Sequence, residues 1–189
     1  MQARLVEVGC RGVRVRRLGG DRAGEIRLTR FLRNPSVTVS EMARTAGQAT
    51  AARCAGRHVL AIQDTTVVRS EGGGGLYLHA VVALDADDDA ILGLIGGQFL
   101  NRSAGRKAVR RSVPIEHKES YRWVQGADLA ASVCASARRV TVVADREADI
   151  FEAFARRPPS VDLLVRAAQD RSLDDGGRLF AQADRKSVV

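Results

Sequence analysis

Ala61-Ile62-Gln63-Asp64-Thr65-Thr66 and Val142-Val143-Ala144-Asp145-Arg146-Glu147 are the two stretches on which the reading of this sequence turns. Each closes a short apolar run, 58–63 and 140–144, whose length and branched residues suit a buried strand, and each run ends on an aspartate. After the first run, Glu71 and Gly72–Gly75 read as a loop and 76–84 as a long strand. An acidic turn follows (Asp85, Asp87, Asp88, Asp89), and then 91–100 as a hairpin partner whose Gly93, Gly96 and Gly97 suggest bulges or close backbone approach. Three strands joined by short turns predict an antiparallel meander.

The second run is flanked by helical patterns. Residues 119–137 carry Trp123, Leu129, Ala130, Val133, Cys134 and Ala137 at near-helical spacing. Past Asp145, Asp149 reads as the N-cap of a helix with Glu152 as its capping-box partner, Ile150, Phe151 and Phe154 as its apolar face, and Pro158-Pro159 as its stop. A fifth strand is expected at 161–167. The order is strand-strand-strand-helix-strand-helix-strand. It predicts an α/β fold with a ribonuclease-H-like mixed sheet, in which three antiparallel strands are followed by helix-linked parallel ones. The first and fourth strands then lie side by side. Upstream, a helix is expected at 40–54, capped by Ser40 and ended by Gly56, either as a packing helix or as one of a DNA-binding pair. The expected organisation is a basic, partly helical arm at 1–57, the core at 58–170 and a weakly structured tail at 171–189.

Charge follows that division. Across 189 residues Lys+Arg number 30 and Asp+Glu 22, a net +8. Residues 1–57 hold 12 Arg and 4 acids, so the whole surplus lies there and the remainder is neutral. A basic arm suits an anionic partner such as DNA, although the dominance of Arg over Lys also fits codon bias. No uncharged apolar run approaches the roughly 18 residues of a membrane span. The N-terminal stretch has no apolar signal region. Cys10, Cys54 and Cys134 are odd in number and widely spaced, which argues against a disulfide framework or a structural zinc site. A cytoplasmic protein with no membrane partner is expected. Gly72–Gly75 lacks the following Lys-Ser/Thr of a phosphate-binding loop.

Two strand-end aspartates on adjacent parallel strands would repel each other, and a divalent cation relieves that cost. Hard oxygen ligands favour Mg²⁺ or Mn²⁺, and such ions can activate water for attack on a phosphodiester. Asp64 and Asp145 are therefore the candidate catalytic and metal-binding residues. An aspartate in that position alone also suits a turn or helix cap. The polar loop 101–118 is basic through Arg102, Arg106, Lys107, Arg110 and Arg111, and either contacts phosphates or is solvated. Trp123 reads as helix core.

The same residues carry a family resemblance. The runs from Ala61 to Thr66 and from Val142 through Arg146-Glu147-Ala148-Asp149-Ile150-Phe151 resemble the DDE transposases of bacterial insertion sequences, closest to the hairpin-forming insertion-sequence-four group. Lys118-Glu119-Ser120 before Trp123 and Leu78-His79-Ala80-Val81-Val82 are similar to segments of that group, and the resemblance spans about residues 20–175. It implies a ribonuclease-H-like core with Asp64 and Asp145 as the first two members of a metal triad. It implies Mg²⁺- or Mn²⁺-dependent cleavage and strand transfer at transposon ends within a dimer on double-stranded DNA. Arg146, Lys118, Arg106 and Arg110 are the candidate DNA contacts, Arg146 equally suited to a salt bridge. The family's third ligand is a late glutamate within a Tyr…Arg…Glu…Lys signature. Here no Glu follows Glu152 and both tyrosines precede Asp145. The expectation is an incomplete core, inactive in this form. A non-catalytic DNA-binding fragment is the alternative. A phosphatase with Asp64 as nucleophile is disfavoured by Thr66 two residues on.

Overall fold

A computed structural model describes residues 14–71, 74–102 and 113–186. The chain divides into two compact units, Met1–Met42 and Ala43–Val189. In the first, α1 (Val15–Gly19) and α2 (Arg22–Arg33) are separated at Gly20, whose φ of +78° suits glycine. The Asp21 side chain caps α2 by accepting from the Gly24 amide at 2.6 Å. Glu25 in its first turn and Arg30 and Arg33 in its last complement the helix dipole. Arg22, Arg27, Arg30 and Arg33 are all exposed.

The second unit is built on β1 (His58–Glu71), β2 (Gly74–Asp85), β3 (Ile91–Arg102), β4 (Arg139–Ala144) and β5 (Val161–Val165). Their order across one sheet is β3-β2-β1-β4-β5. The β1–β2 and β2–β3 pairs are antiparallel, and β1–β4 and β4–β5 are parallel. The architecture is therefore α/β with a five-stranded mixed sheet, a meander followed by helix-linked parallel strands. The first strand differs from expectation. It continues to Glu71 instead of stopping at Gln63, because β2 supplies a ladder from Asp64↔Ala80 to Glu71↔Gly74. On the other side β4 pairs only with 58–62. Asp64 thus lies two residues past the parallel pairing but within the strand.

Alternation along the strands sends Val59, Ala61, Val81, Ala83, Val140, Val142 and Val161 into one core with Cys54, Ala127, Ala130 and Cys134. Those last four belong to, or directly follow, α3 (Val39–Cys54) and α4 (Tyr121–Val133). Burying each Val contributes about 1.5–3 kcal/mol. With side chains this small, the helices must lie close. A Cβ on Gly47 of α3 would stand 2.8 Å from the Ile95 carbonyl oxygen of β3. Thr50 meets the Leu94 carbonyl at 2.7 Å, and Arg53 donates to that of Leu92. The helix expected at 40–54 is thus present as a helix packed on β3, but Ser40 does not cap it: the helix begins at Val39, and Thr38 Oγ1 accepts from the Glu41 amide at 3.1 Å. Cys54 and Cys134 are free thiols 3.7 Å apart, and burial pushes Cys134 up to about 12.

Two local expectations fail after β4. Asp149 does not cap α5 (Phe151–Ala155); Ile150 holds that position without a side-chain bond. Asp149 is instead buried, accepting from the Ala168 amide at 2.7 Å and the Gln169 amide at 2.9 Å and pairing with Arg171. A carboxylate with three donors available to it from the chain after β5 is held there more firmly than by one amide at a helix start. Phe151 and Phe154 are exposed, and Ala153 is the residue that α5 buries. The Phe154 ring lies 5.4 Å from the Arg171 guanidinium. Beyond a Ser172↔Arg178 bridge, the chain forms α6 (Leu179–Lys186). No helix among the described residues is long and apolar enough to cross a membrane.

Candidate functional site

The last rung between β1 and β4 is Ile62↔Val143. Asp64 and Asp145 each lie two residues past it, at the carboxyl ends of adjacent, parallel, in-register runs. Parallel strands neighbour each other at about 4.8 Å. Alternation places both side chains on the parity opposite to Ala61, Gln63, Val142 and Ala144, which are buried. Both aspartates are exposed. Asp145 caps the 3-10 turn Arg146–Ala148, its Oδ1 accepting from the Glu147 amide at 2.9 Å. The cap and the ligand readings are therefore compatible, since that bond uses one carboxylate oxygen and leaves Oδ2 for another partner. Two exposed carboxylates of hard oxygen donors suit Mg²⁺ or Mn²⁺. Among the described residues no group of three His, Cys, Asp or Glu side chains is placed to share one ion.

The other candidates fall in different places. Arg146 is exposed on the turn directly after Asp145 and forms no ion pair among the described residues. Lys118 is half-buried, its amide donating to the Ile115 carbonyl at the end of the 3-10 turn Ile115–His117. Arg106 and Arg110 lie outside the described residues. Arg166, not singled out in the sequence, is exposed just past the last rung of β5, Ala144↔Val165, and its amide donates to Ala144 O at 3.2 Å. It stands at the next register step from Asp145.

Behind the two aspartates lies a buried polar chain that the sequence reading missed. Gln63, His79 and Arg122 are 3%, 1% and 5% exposed. Arg122 Nη2 donates to Glu147 Oε2 at 2.7 Å, Nη1 donates to the Glu119 carbonyl at 2.9 Å, and Nε donates to Thr65 Oγ1 at 3.2 Å. Thr65 Oγ1 lies 2.8 Å from His79 Nδ1, and His79 Nε2 lies 3.1 Å from Gln63 Oε1. Gln63 Nε2 donates to the Trp123 carbonyl at 3.4 Å. The direction of every proton follows. An amide oxygen only accepts, so His79 carries its hydrogen on Nε2. Its Nδ1 then accepts from Thr65, whose oxygen in turn accepts from Arg122. His79 is neutral: burial pushes the imidazole down to about 4, the Arg122 charge adds to that, and Asp64 opposes it. The edge of His79 meets the Trp123 ring at 4.7 Å between centroids. Trp123 is core, as expected, but its indole Nε1 is buried without a partner among the described residues.

A signal for this chain was present in the sequence. Gln63 shares the buried parity of Val59 and Ala61, and His79 that of Val81 and Ala83, so two polar residues occupy inward positions of otherwise apolar strands. No protein-family model matches the chain, and no curated protein matches its sequence.

Proposed function

We propose that the sheet unit is a ribonuclease-H-like nuclease core of the DDE-transposase kind, acting on the phosphodiesters of double-stranded DNA. The observation that carries this reading is the equal register of Asp64 and Asp145 past Ile62↔Val143 on neighbouring parallel strands. The two carboxylates hold Mg²⁺ or Mn²⁺, and when bound the ion supplies activation of water and neutralisation of charge developing on phosphate. The chain's own residues do the rest. Asp145 offers one oxygen while its other fixes the Arg146–Ala148 turn. Arg146 and Arg166 flank that carboxylate as exposed cations suited to DNA phosphates, with Lys118 a further candidate. The protein works in the cytoplasm as a dimer on DNA. With two acids and, among the described residues, no third beside them, this chain binds the ion weakly and does not carry out strand transfer.

Metal binding tests the reading directly. Asn at either position keeps the size and the capping oxygen but removes the charge. Mn²⁺ binding, followed by electron paramagnetic resonance, is expected in the native chain and lost in Asp64→Asn and in Asp145→Asn, with melting temperature little changed. Undiminished Mn²⁺ binding in both variants would sink the proposal. Mg²⁺-dependent joining of a DNA end by the purified chain would overturn its claim of inactivity.

A second reading, a non-catalytic DNA-binding protein, is favoured by α2, where four exposed arginines share one short helix with a single acid.

A further inference from the structure

Beyond Ile62↔Val143 the β1–β4 ladder ends, yet both aspartates lie past that point. Backbone pairing therefore does not fix their separation. A single guanidinium reaches across instead. Arg122 Nε holds Thr65, the residue after Asp64, and Nη2 holds Glu147, two residues after Asp145. We propose that Arg122 is a positioning residue, a rigid fork that sets the distance between the Asp64-bearing and Asp145-bearing segments, with Thr65, His79 and Gln63 as its backing and Glu147 as its far grip. The proposal deepens the metal-site reading above and rests on it.

Three features argue for positioning over simple packing. Further along α4 the face packed on the sheet is small and apolar (Ala127, Ala130), and a buried guanidinium is a costly way to fill such a space. Planar and delocalised, that group offers donors at fixed angles, so it transmits the placement of one partner to the other. The chain behind it has one proton direction throughout: Arg122 to Thr65, Thr65 to His79, His79 to Gln63, Gln63 to the Trp123 carbonyl. Gln63 and Thr65 bracket Asp64, and both are tied to His79 of β2. The backbone at Asp64 is thereby held from both sides while its carboxylate stays exposed. On the other strand, Glu147 is held by Arg122 and its amide by the Asp145 carboxylate. Supporting partners of this kind typically govern metal affinity by about 10- to 100-fold.

Trp123 is the one tryptophan in the sequence and touches the chain at two points, His79 at 4.7 Å and Arg122 at 5.2 Å from its ring. Its emission therefore reports on the fork. The test is performed on the full chain, with Mn²⁺ affinity from paramagnetic resonance, Trp123 emission during Mg²⁺ titration, and melting temperature as a check on folding. Thr65→Val keeps the branched shape and removes the hydroxyl; Thr65→Ser restores the hydroxyl; Glu147→Ala removes an exposed grip. The expected result is a loss of Mn²⁺ affinity of at least about 10-fold in Thr65→Val and Glu147→Ala, with a blunted Trp123 response, and recovery of both in Thr65→Ser. Should Thr65→Val fail to fold, Glu147→Ala carries the test. Native affinity and native emission in Glu147→Ala and Thr65→Val would overturn the positioning role and leave the metal site standing. A native chain that binds no Mn²⁺ would overturn the metal reading, and the positioning role with it.

Discussion

His79 shows how one side chain ties the site to the stability of the fold. Its imidazole is neutral in the folded protein because burial and the Arg122 charge disfavour the proton, pushing it down to about 4. In the unfolded chain it titrates near 6.5. Between those values the unfolded state binds the proton and the folded state does not, so stability falls as pH drops through that window and levels off below it. The loss is on the order of 3 kcal/mol. Urea midpoints measured from pH 7 to pH 4 are expected to fall accordingly and to flatten in His79→Gln. A slope equal to native in that variant would assign the effect elsewhere. Asp85 acts in a lower range. The Asp87 amide, with Arg57 beside it, holds its carboxyl below the usual value, so its contribution is present above about 4 and lost at still lower pH.

At the scale of elements, α4 can lie against the sheet because it is nearly bare where it crosses β1. A Cβ on Gly126 would stand 2.2 Å from Gln63 Oε1 and 2.7 Å from its Cδ. Gly126→Ala is therefore expected to destabilise the protein by about 1–3 kcal/mol through overpacking, despite alanine's better helix propensity. Chemical denaturation reads that directly, and a stabilised variant would mean that Gln63 has room to move. The elements themselves were largely legible from the sequence. Periodicity exposed the meander and both parallel strands, because apolar alternation is a local property. Where β1 ends was not legible, since Asp64 interrupts the apolar run and it is the ladder with β2 that carries the β-branched Thr65-Thr66-Val67-Val68 stretch on to Glu71. Nor was the role of Asp149, which sits where a cap belongs but accepts from residues 19 and 20 positions ahead. Asp64 and Asp145 stood out because each terminates an apolar run. Arg122 did not, because a helix with one arginine looks solvated until the sheet beneath it is known.

On the scale of the whole molecule, most of the charge surplus, nine Arg against four acids, lies in the first compact unit, Met1–Met42, and the acid pair lies in the second. DNA affinity and metal affinity should then be separable. Binding to duplex DNA is expected to weaken steeply with salt through counterion release, and Arg27→Ala or Arg30→Ala should each reduce the log–log salt slope by about one. Neither substitution should alter Mn²⁺ binding. Salt-independent binding, or none, would leave the basic helix without a DNA role. The sheet topology also has a kinetic side. β1, β2 and β3 follow one another through short connections, whereas Ile62 and Val143 meet across roughly 80 residues of chain. Closing a loop of that length is a slow step compared with zipping a meander. Asp64 is therefore expected to acquire its strand early in folding and Asp145 to arrive beside it only at closure, so a chain arrested at the meander would present one member of the pair without the other. Capture of a divalent ion would mark the end of folding, and the ion would in turn slow the parting of β1 from β4.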